Sequence, residues 1–237
     1  MSHSVLLILG AGPNIGQNTA DAFAARGYKV ALVARGKEDG WGPNGELELR
    51  GDLSDPETIP RVFKRVTSEF GHPSVVIYNG AARTVLPEND PLQDFSLESF
   101  NKDMNVNVTS AALAAHHAVL GFKELPADTT KVFFFTGNKL PVLSLPQVLS
   151  FGMGKSAAAH MIWDLSNVYR SRGFKFYFTD ERTEEGKPAM MERSGPAHAE
   201  VYVRLAEKQE QGPWYYTFVK DQGYVDFSEI DRRGLTN

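Results

Sequence analysis

Three glycines near the start of the chain have the spacing of a phosphate-binding turn. Residues 10–16 read GAGPNIG, directly after the apolar run 4–9 and before a helical pattern. At such a strand-to-helix turn, backbone N–H groups and the positive end of the helix dipole favour a pyrophosphate. Gly10 allows the tight turn and Gly16 the close packing of the helix, while Asn14 stands where a middle glycine is common because asparagine tolerates a positive φ. The segment predicts a dinucleotide site, with a plain glycine-containing turn as the alternative.

The end of the second predicted strand, residues 29–33, indicates which dinucleotide would bind. A carboxylate at this place binds the ribose 2′-hydroxyl of NAD, whereas this sequence has Ala34 followed by Arg35. An arginine forms charge-assisted, forked hydrogen bonds with a 2′-phosphate. We therefore expect NADP, with NAD as the weaker ligand; a solvated surface arginine is the alternative interpretation.

The segments around these residues alternate between strand and helix. Continuous apolar runs are typical of parallel strands buried on both faces, and helical patterns lie between them. The sequence predicts an α/β protein: a Rossmann-type, doubly wound parallel sheet of about seven strands with helices on both faces, in one domain over residues 1–237. The predicted strands are 4–9, 29–33, 46–49 (as an edge strand), 74–78, 131–136, 174–178 and 214–219. The charged segment 180–194 has no apolar period and is expected to be a loop beside the site.

Composition and charge exclude several classes of protein. The net charge of −4 gives no general attraction to nucleic acid or to an anionic membrane, so any anion binding must be local. The absence of cysteine excludes disulfides and thiolate sites. No apolar run approaches the ~18 residues of a membrane span. We expect a cytoplasmic protein whose partner is a small molecule, with neither nucleic acid nor membrane as a partner.

With these segments placed, residues 4–178 resemble the short-chain dehydrogenase/reductase family. The family's motifs are similar to the turn at 10–16, Asp52-Leu53, Tyr78-Asn79-Gly80-Ala81, Asn107 and Lys155. The resemblance implies that Asp52 and Leu53 contact the adenine, that Asn107 is a structural asparagine, and that Lys155 binds the nicotinamide ribose. The residues expected to bind the cofactor are then Gly10, Gly12, Asn14, Ile15, Gly16, Arg35, Asp52, Leu53, Asn79, Gly80 and Lys155.

The catalytic end of the site departs from the family. Its Tyr-x-x-x-Lys motif is present as Phe151-Gly152-Met153-Gly154-Lys155, and phenylalanine has no proton to give. A positioned acid–base group contributes roughly 10²–10⁴ in rate, so its loss is serious. No serine stands at the end of the fifth strand, where Thr136, Gly137 and Asn138 are found, and the family's Pro-Gly after the sixth strand is missing. Lys155 and Asn107 remain as catalytic residues, and Thr136, Asn138 and Phe151 are the expected substrate contacts.

Other polar residues offer weaker candidates. Tyr78 ends the fourth strand and could supply the missing proton, although packing is its commoner role. Asp180 and Glu181 follow the sixth strand, where doubly wound sheets bind ligands, but solvated loop carboxylates are the commoner case. His198 is expected to be exposed. No combination of histidines and carboxylates has metal-ligand spacing, so we expect no metal site.

Three functions fit this sequence. The first is a divergent, NADP(H)-binding oxidoreductase that acts on a small carbonyl or imine. The alternatives are a non-redox cyclase or isomerase on the same scaffold and a catalytically inactive sensor of NADP(H). Alanine-rich stretches at 111–118 and 157–159 allow helices to approach closely, so a homodimer or homotetramer is expected. The alternative is that these alanines only face the sheet.

Overall fold

The computed structural model describes residues 4–234, and these contain one nine-stranded sheet. The strands are β1 (Val5–Leu9), β2 (Lys29–Ala34), β3 (Gly40–Trp41), β4 (Leu47–Arg50), β5 (Val75–Tyr78), β6 (Val132–Thr136), β7 (Lys175–Arg182), β8 (Tyr215–Val219) and β9 (Gly223–Tyr224). Their order is β3-β4-β2-β1-β5-β6-β7-β8-β9. All neighbours are parallel except the two-residue strands β3 and β9, which pair antiparallel with β4 and β8. The predicted doubly wound α/β fold is confirmed, but two short edge strands raise the count from seven to nine, and β4 is not an edge strand.

Seven α-helices lie among the described residues, and six of them follow the strands in the expected rhythm. They are α1 (Ile15–Ala24), α2 (Thr58–Phe70), α3 (Leu97–Met104), α4 (Ser110–Glu124), α5 (Leu149–Val168), α6 (Gly195–Glu207) and α7 (Ser228–Gly234). Within β1, Leu7 and Leu9 join the buried cluster that contains α2, α4 and α5, whereas Leu6 and Ile8 join the cluster with α1 and α6. Successive side chains of a strand point to opposite faces, so both faces need apolar residues. This explains the unbroken apolar runs.

The predicted helix near 99–122 is interrupted. A π-helical segment, Asn105–Thr109, joins α3 to α4 and buries Asn107 completely. Such segments are frequent at functional sites. The other predicted long helix, near 146–171, is α5 preceded by a 3₁₀ turn, Pro146–Val148. No helix of the described residues has both the length and the hydropathy of a membrane span.

The alanine-rich stretches pack inside the chain. Ala111, Ala114 and Ala118 of α4 and Ala158 and Ala159 of α5 are buried in the same apolar cluster as the sheet. Their small side chains let the helices approach the strands closely, which is the alternative stated above. A homo-oligomer stays a prediction, and these alanines do not by themselves support it.

The charged segment after residue 179 begins as a strand and not as a loop. Strand β7 continues through Arg182, whose guanidinium lies between the carboxylates of Asp180 and Asp231. His198, expected at the surface, is buried with its Nδ1 3.2 Å from a carboxylate oxygen of Glu181. Charges are tolerated in an interior when they are paired and hydrogen-bonded. The expectation of a solvated loop was wrong for residues 180–182 because they are buried in a strand, where Asp231 pairs with Arg182 and His198 lies beside Glu181; only the Oδ1 of Asp180 has no hydrogen-bond partner within these three residues.

Candidate cofactor and substrate site

A cavity of about 730 Å³ lies at the carboxyl ends of the central strands. It includes the point between β1 and β5 where the strand order reverses, which is where doubly wound sheets bind ligands. Of the sequence-predicted residues, the structure brings into its lining Gly10, Gly12, Asn14, Ile15, Arg35, Asp52, Leu53, Asn79, Gly80, Thr136, Asn138, Phe151 and Lys155. Gly16 and Asn107 lie behind the lining.

The glycine-rich turn has the geometry of a close backbone approach. Gly10 has φ +93°, and a Cβ there would lie 2.6 Å from the backbone nitrogen of Gly80. Asn79 locks this contact because its Nδ2 donates a hydrogen bond to the carbonyl of Gly10 at 2.8 Å. A Cβ on Gly12 would meet no atom within 4 Å, so the turn presents open space on that side. Gly16 packs against Ala11, so its part is helix packing.

Asn14 contributes in a way that the sequence did not predict. Its φ is −87°, so tolerance of a positive φ does not explain this residue. Its Oδ1 accepts a hydrogen bond from the backbone N–H of Gly195, and its Nδ2 donates to the carbonyl of Arg193, both at 2.9 Å. We call this pair of hydrogen bonds the Asn14 bridge. It joins the glycine turn to the segment that precedes α6.

The end of the cavity near β2 and β4 carries one arginine and one fixed carboxylate. Arg35 follows β2 and lines the cavity. The Asp52 carboxylate accepts hydrogen bonds from the backbone N–H and the hydroxyl of Ser54, both at 2.9 Å. These bonds, the backbone one first, lower the pKa of Asp52. The charge of Arg35 also lowers the pKa of Asp52, so the two side chains act on each other at this end of the cavity, but no ion pair joins them within the described residues.

Asn107 lies outside the cavity lining and connects two segments that border the cavity. Its Nδ2 donates to the carbonyls of Ala82 and Asp103 at 2.7 and 2.8 Å. A Cβ on Gly154 would lie 2.6 Å from the Cβ of Asn107, so α5 also packs directly against it. The π-helical segment turns Asn107 inward, where it fixes the chain after β5 relative to α5. This geometry fits a positioning role.

Lys155 is buried at the opposite end of the cavity. Its Nζ donates to the carbonyl of Thr136 at 2.8 Å and lies 4.4 Å and 5.3 Å from the ring centres of Phe135 and Phe151. Burial lowers the pKa of Lys155 to about 7; repulsion from Arg193 adds to the effect and attraction from Asp180 opposes it. The side chain therefore changes protonation near neutral pH.

The hydroxyls that could stand in for a tyrosine beside Lys155 are engaged elsewhere in the described residues. The Tyr78 hydroxyl donates to the carbonyl of Val106 within the core, outside the cavity lining, and burial raises its pKa. The hydroxyl of Thr136 is 2.8 Å from that of Tyr202, so it is engaged in a buried pair. The Oδ1 of Asn138 accepts from the backbone N–H of Leu140. Phe151 therefore presents an aromatic ring to the cavity where the family has its acid.

Positive charge is concentrated in the cavity. Five cationic side chains line it against two carboxylates: Arg35, Arg83, Lys102, Lys155 and Arg193 against Asp52 and Asp103. Asp103 is buried, and its Oδ2 accepts bonds from the Thr84 N–H and the Ser150 hydroxyl. A local excess of positive charge in a chain of net charge −4 favours a ligand with several negative charges. Sequence reasoning missed Arg83, Lys102, Asp103 and Arg193, which stand in segments with no motif.

Within residues 4–234, no three side chains of the histidine, aspartate or glutamate type come together as a possible metal site. The carboxylates nearest to the cavity, Asp52 and Asp103, are held by hydrogen bonds from neighbouring N–H and hydroxyl groups.

The doubly wound sheet, the glycine turn at the strand reversal and the cationic cavity define a nucleotide-binding α/β protein. A family model described as short chain dehydrogenase matches residues 4–177. The chain is 41% identical to a short chain dehydrogenase/reductase of Cryptosporiopsis sp. (strain 8999), with 96% of each chain covered. It therefore belongs to the short-chain dehydrogenase/reductase family.

Solved structures show the same fold with different cofactors. The chain superposes on ElxO with NADP bound with a TM-score of 0.65, at 17% identity, covering 76% of this chain and 74% of that one. It superposes on 4-hydroxyisoleucine dehydrogenase complexed with NADH with a TM-score of 0.64, at 15% identity, covering 76% of each. At these identities the likeness concerns the fold.

Proposed function

We propose that this protein is an NADP(H)-dependent oxidoreductase that acts on a small carbonyl or imine compound. The observation that carries the proposal is a continuous cavity that joins Arg35, the glycine turn and Lys155 and contains an excess of positive charge. A dinucleotide with a 2′-phosphate is a long ligand with several negative charges, so its shape and charge match this cavity. The two solved structures named above contain different cofactors, NADH and NADP, so they do not distinguish between the two. The distinction therefore depends on this chain's own residues, and Ala34-Arg35 favours NADP.

The chain's own residues divide the work of holding such a cofactor. Arg35 would bind the 2′-phosphate and the open side of Gly12 would face the diphosphate, while Asp52 and Leu53 would border the adenine. Lys155 would hold the nicotinamide ribose through the N–H groups that do not bond Thr136. A bound nicotinamide supplies or accepts a hydride, and this redox chemistry belongs to the cofactor.

The missing tyrosine favours an imine over a ketone. Reduction of a ketone needs a proton on the developing alkoxide, and Phe151 cannot provide it. An imine that is protonated before it binds already carries this proton. Lys155, with its pKa lowered to about 7, becomes mostly neutral above neutral pH and then does not repel such a cation. We therefore infer that imines are the better substrates.

Cofactor choice is tested by calorimetry with NADP and NAD on the wild type and on Arg35→Ala. We expect the wild type to bind NADP more tightly, and the variant to lose affinity roughly tenfold or more for NADP alone, because a charge-assisted phosphate contact disappears. Arg26→Ala is the control, since Arg26 pairs with Glu207 on the surface and does not line the cavity. Equal affinity for both nucleotides in both proteins would contradict the assignment.

Catalysis is tested by following NADPH consumption with a panel of carbonyl and imine compounds. Turnover of imines in preference to ketones supports the proposal. NADP binding without turnover of any compound supports the non-redox enzyme or the sensor, and a ligand-dependent change in partner binding selects the sensor. The homo-oligomeric state and the cytoplasmic location stay predictions; sedimentation at micromolar concentration decides the first.

A further inference from the structure

The segment between β7 and α6 lies directly on the glycine turn. The Asn14 bridge holds both the carbonyl of Arg193 and the N–H of Gly195. A Cβ on Gly195 would lie 2.4 Å from the Oδ1 of Asn14, so the approach is as close as the backbone allows. The phosphate-binding turn and the segment 193–195 therefore form one joined wall of the cavity.

The backbone donors of this segment are already used. The N–H groups of Ser194, Gly195 and Ala197 donate to Glu181, Asn14 and the Ser194 hydroxyl. The start of α6 thus has no free donors at these positions for a ligand. What the segment offers to the cavity is the side chain of Arg193, which is exposed and lines the same cavity as Gly12.

The guanidinium of Arg193 makes no hydrogen bond or ion pair within the part of the chain that the structure describes. Its charge acts on the ammonium of Lys155, which is 2% exposed and has the Thr136 carbonyl as its acceptor. Arg193 is charged at every relevant pH and Lys155 is charged in half or more of the molecules at or below pH 7, so together they create a favourable place for an anion there. Asp180 attracts the Lys155 ammonium, but no carboxylate of the described residues pairs with Arg193, and Asp52 and Asp103 are engaged by their own neighbours.

We propose that Arg193 binds the diphosphate of the dinucleotide, and that Asn14 is a positioning residue that holds Arg193 there through the bridge. This inference rests on the proposed NADP(H) function and extends it. Arg35 and Arg193 then recognise different parts of one ligand: the 2′-phosphate that distinguishes NADP, and the diphosphate that NADP and NAD share. Arginine suits both tasks because its planar fork pairs with phosphate oxygens.

The test is calorimetry with NADP and with NAD on Arg193→Gln, Arg35→Gln and Asn14→Gly. We expect Arg193→Gln to weaken both nucleotides by the same factor, roughly tenfold to a hundredfold for one charged hydrogen-bonded contact. Arg35→Gln, the matched arginine control, weakens NADP alone. Asn14→Gly introduces glycine, which also suits the turn, and removes the bridge. We expect it to weaken the binding of both nucleotides about three- to tenfold.

The double variant separates positioning from simple loss of a contact. If Asn14 acts through Arg193, Asn14→Gly combined with Arg193→Gln binds no more weakly than Arg193→Gln alone. Additive losses overturn the positioning role. If Arg193→Gln binds both nucleotides as tightly as the wild type, the proposed diphosphate contact is overturned. This holds even if the KM for an anionic substrate rises. A wild type that binds neither nucleotide refutes the proposed function instead, so the two failures are distinguishable.

Discussion

Replacing Phe151 by tyrosine should create ketone reduction that the wild type lacks. Phe151 is half-buried, lines the cavity and has its ring centre 5.3 Å from the Nζ of Lys155, so a hydroxyl can be added without overpacking the core. At roughly 5 Å and an effective dielectric of about 20, an ammonium stabilises a phenolate by about 3 kcal/mol, or about 2 pKa units. Lys155 is half-protonated near pH 7 and mostly neutral at the higher pH where a phenol titrates, and burial favours the neutral phenol, so we expect a net lowering of less than about one unit.

The gain in rate should stay below that of a complete acid–base site. A positioned acid contributes roughly 10²–10⁴, but no serine orients the carbonyl oxygen and the Thr136 hydroxyl is held by Tyr202. We expect an increase of about tenfold to a hundredfold with reactive diketones. The phenol must be protonated to donate, so the rate should fall as the pH rises through its pKa.

The assay compares NADPH consumption by the wild type, Phe151→Tyr, Phe151→Leu and Phe151→Tyr combined with Lys155→Met between pH 6 and pH 9. Phe151→Leu controls for the change of shape, and the double variant should move the fall in rate to higher pH. Robust ketone reduction by the wild type that Phe151→Tyr leaves unchanged would refute the reasoning, because another group would then already supply the proton.

Two further predictions concern stability. Because burial lowers the pKa of Lys155 to about 7, the unfolded state binds more protons than the native state between pH 7 and about 10.5, and wild-type stability rises with pH across this window. Lys155→Met should therefore be more stable by about 3 kcal/mol below pH 7, less than the full shift because the bond to Thr136 is lost at every pH. Urea unfolding should show this gain falling to zero near roughly pH 9 and reversing toward pH 10.5, and a pH-independent difference would contradict it. Arg182→Met leaves the buried Asp180 without its cation and should lower the free energy of unfolding by about 3–5 kcal/mol. The surface control Arg26→Met should lower it by less than ~0.5 kcal/mol. Equal effects of the two substitutions would contradict the stabilising role of the Arg182–Asp180 pair.

The sheet was predictable because its strands are buried on both faces. Continuous apolar runs then coincide with strands, and the run at 29–33 differs from β2 by one residue. The strands β3 and β9 were not predicted because two residues are too few to show the alternation of a strand. The interruption between α3 and α4 escaped as well, since a π-helical segment leaves the apolar spacing on either side nearly unchanged.

Local spacing placed residues that line the cavity, whereas their contacts depend on partners far apart in sequence. Asn14 was predicted to bind the cofactor, but its hydrogen-bond partners are 179 and 181 residues away, so these bonds could not be foreseen. Arg182 lies in a strand because Asp231, 49 residues later, helps to neutralise it. Arg193 stands in a charged segment without periodicity, where nothing local separates a cavity arginine from a solvated one.

The extra residue in the π-helical segment Asn105–Thr109 also sets the rotation of α4 about its own axis. Each residue of an α-helix turns the chain by about 100°. Deleting one residue here would place His116 in the space of Ala115 and Val119 in that of Ala118, both of which are buried against the sheet. A bulkier side chain in so small a space strains a close-packed interior. The number of residues in this segment therefore matters more than their identity. A single deletion would both displace Asn107 and place bulkier side chains in the core.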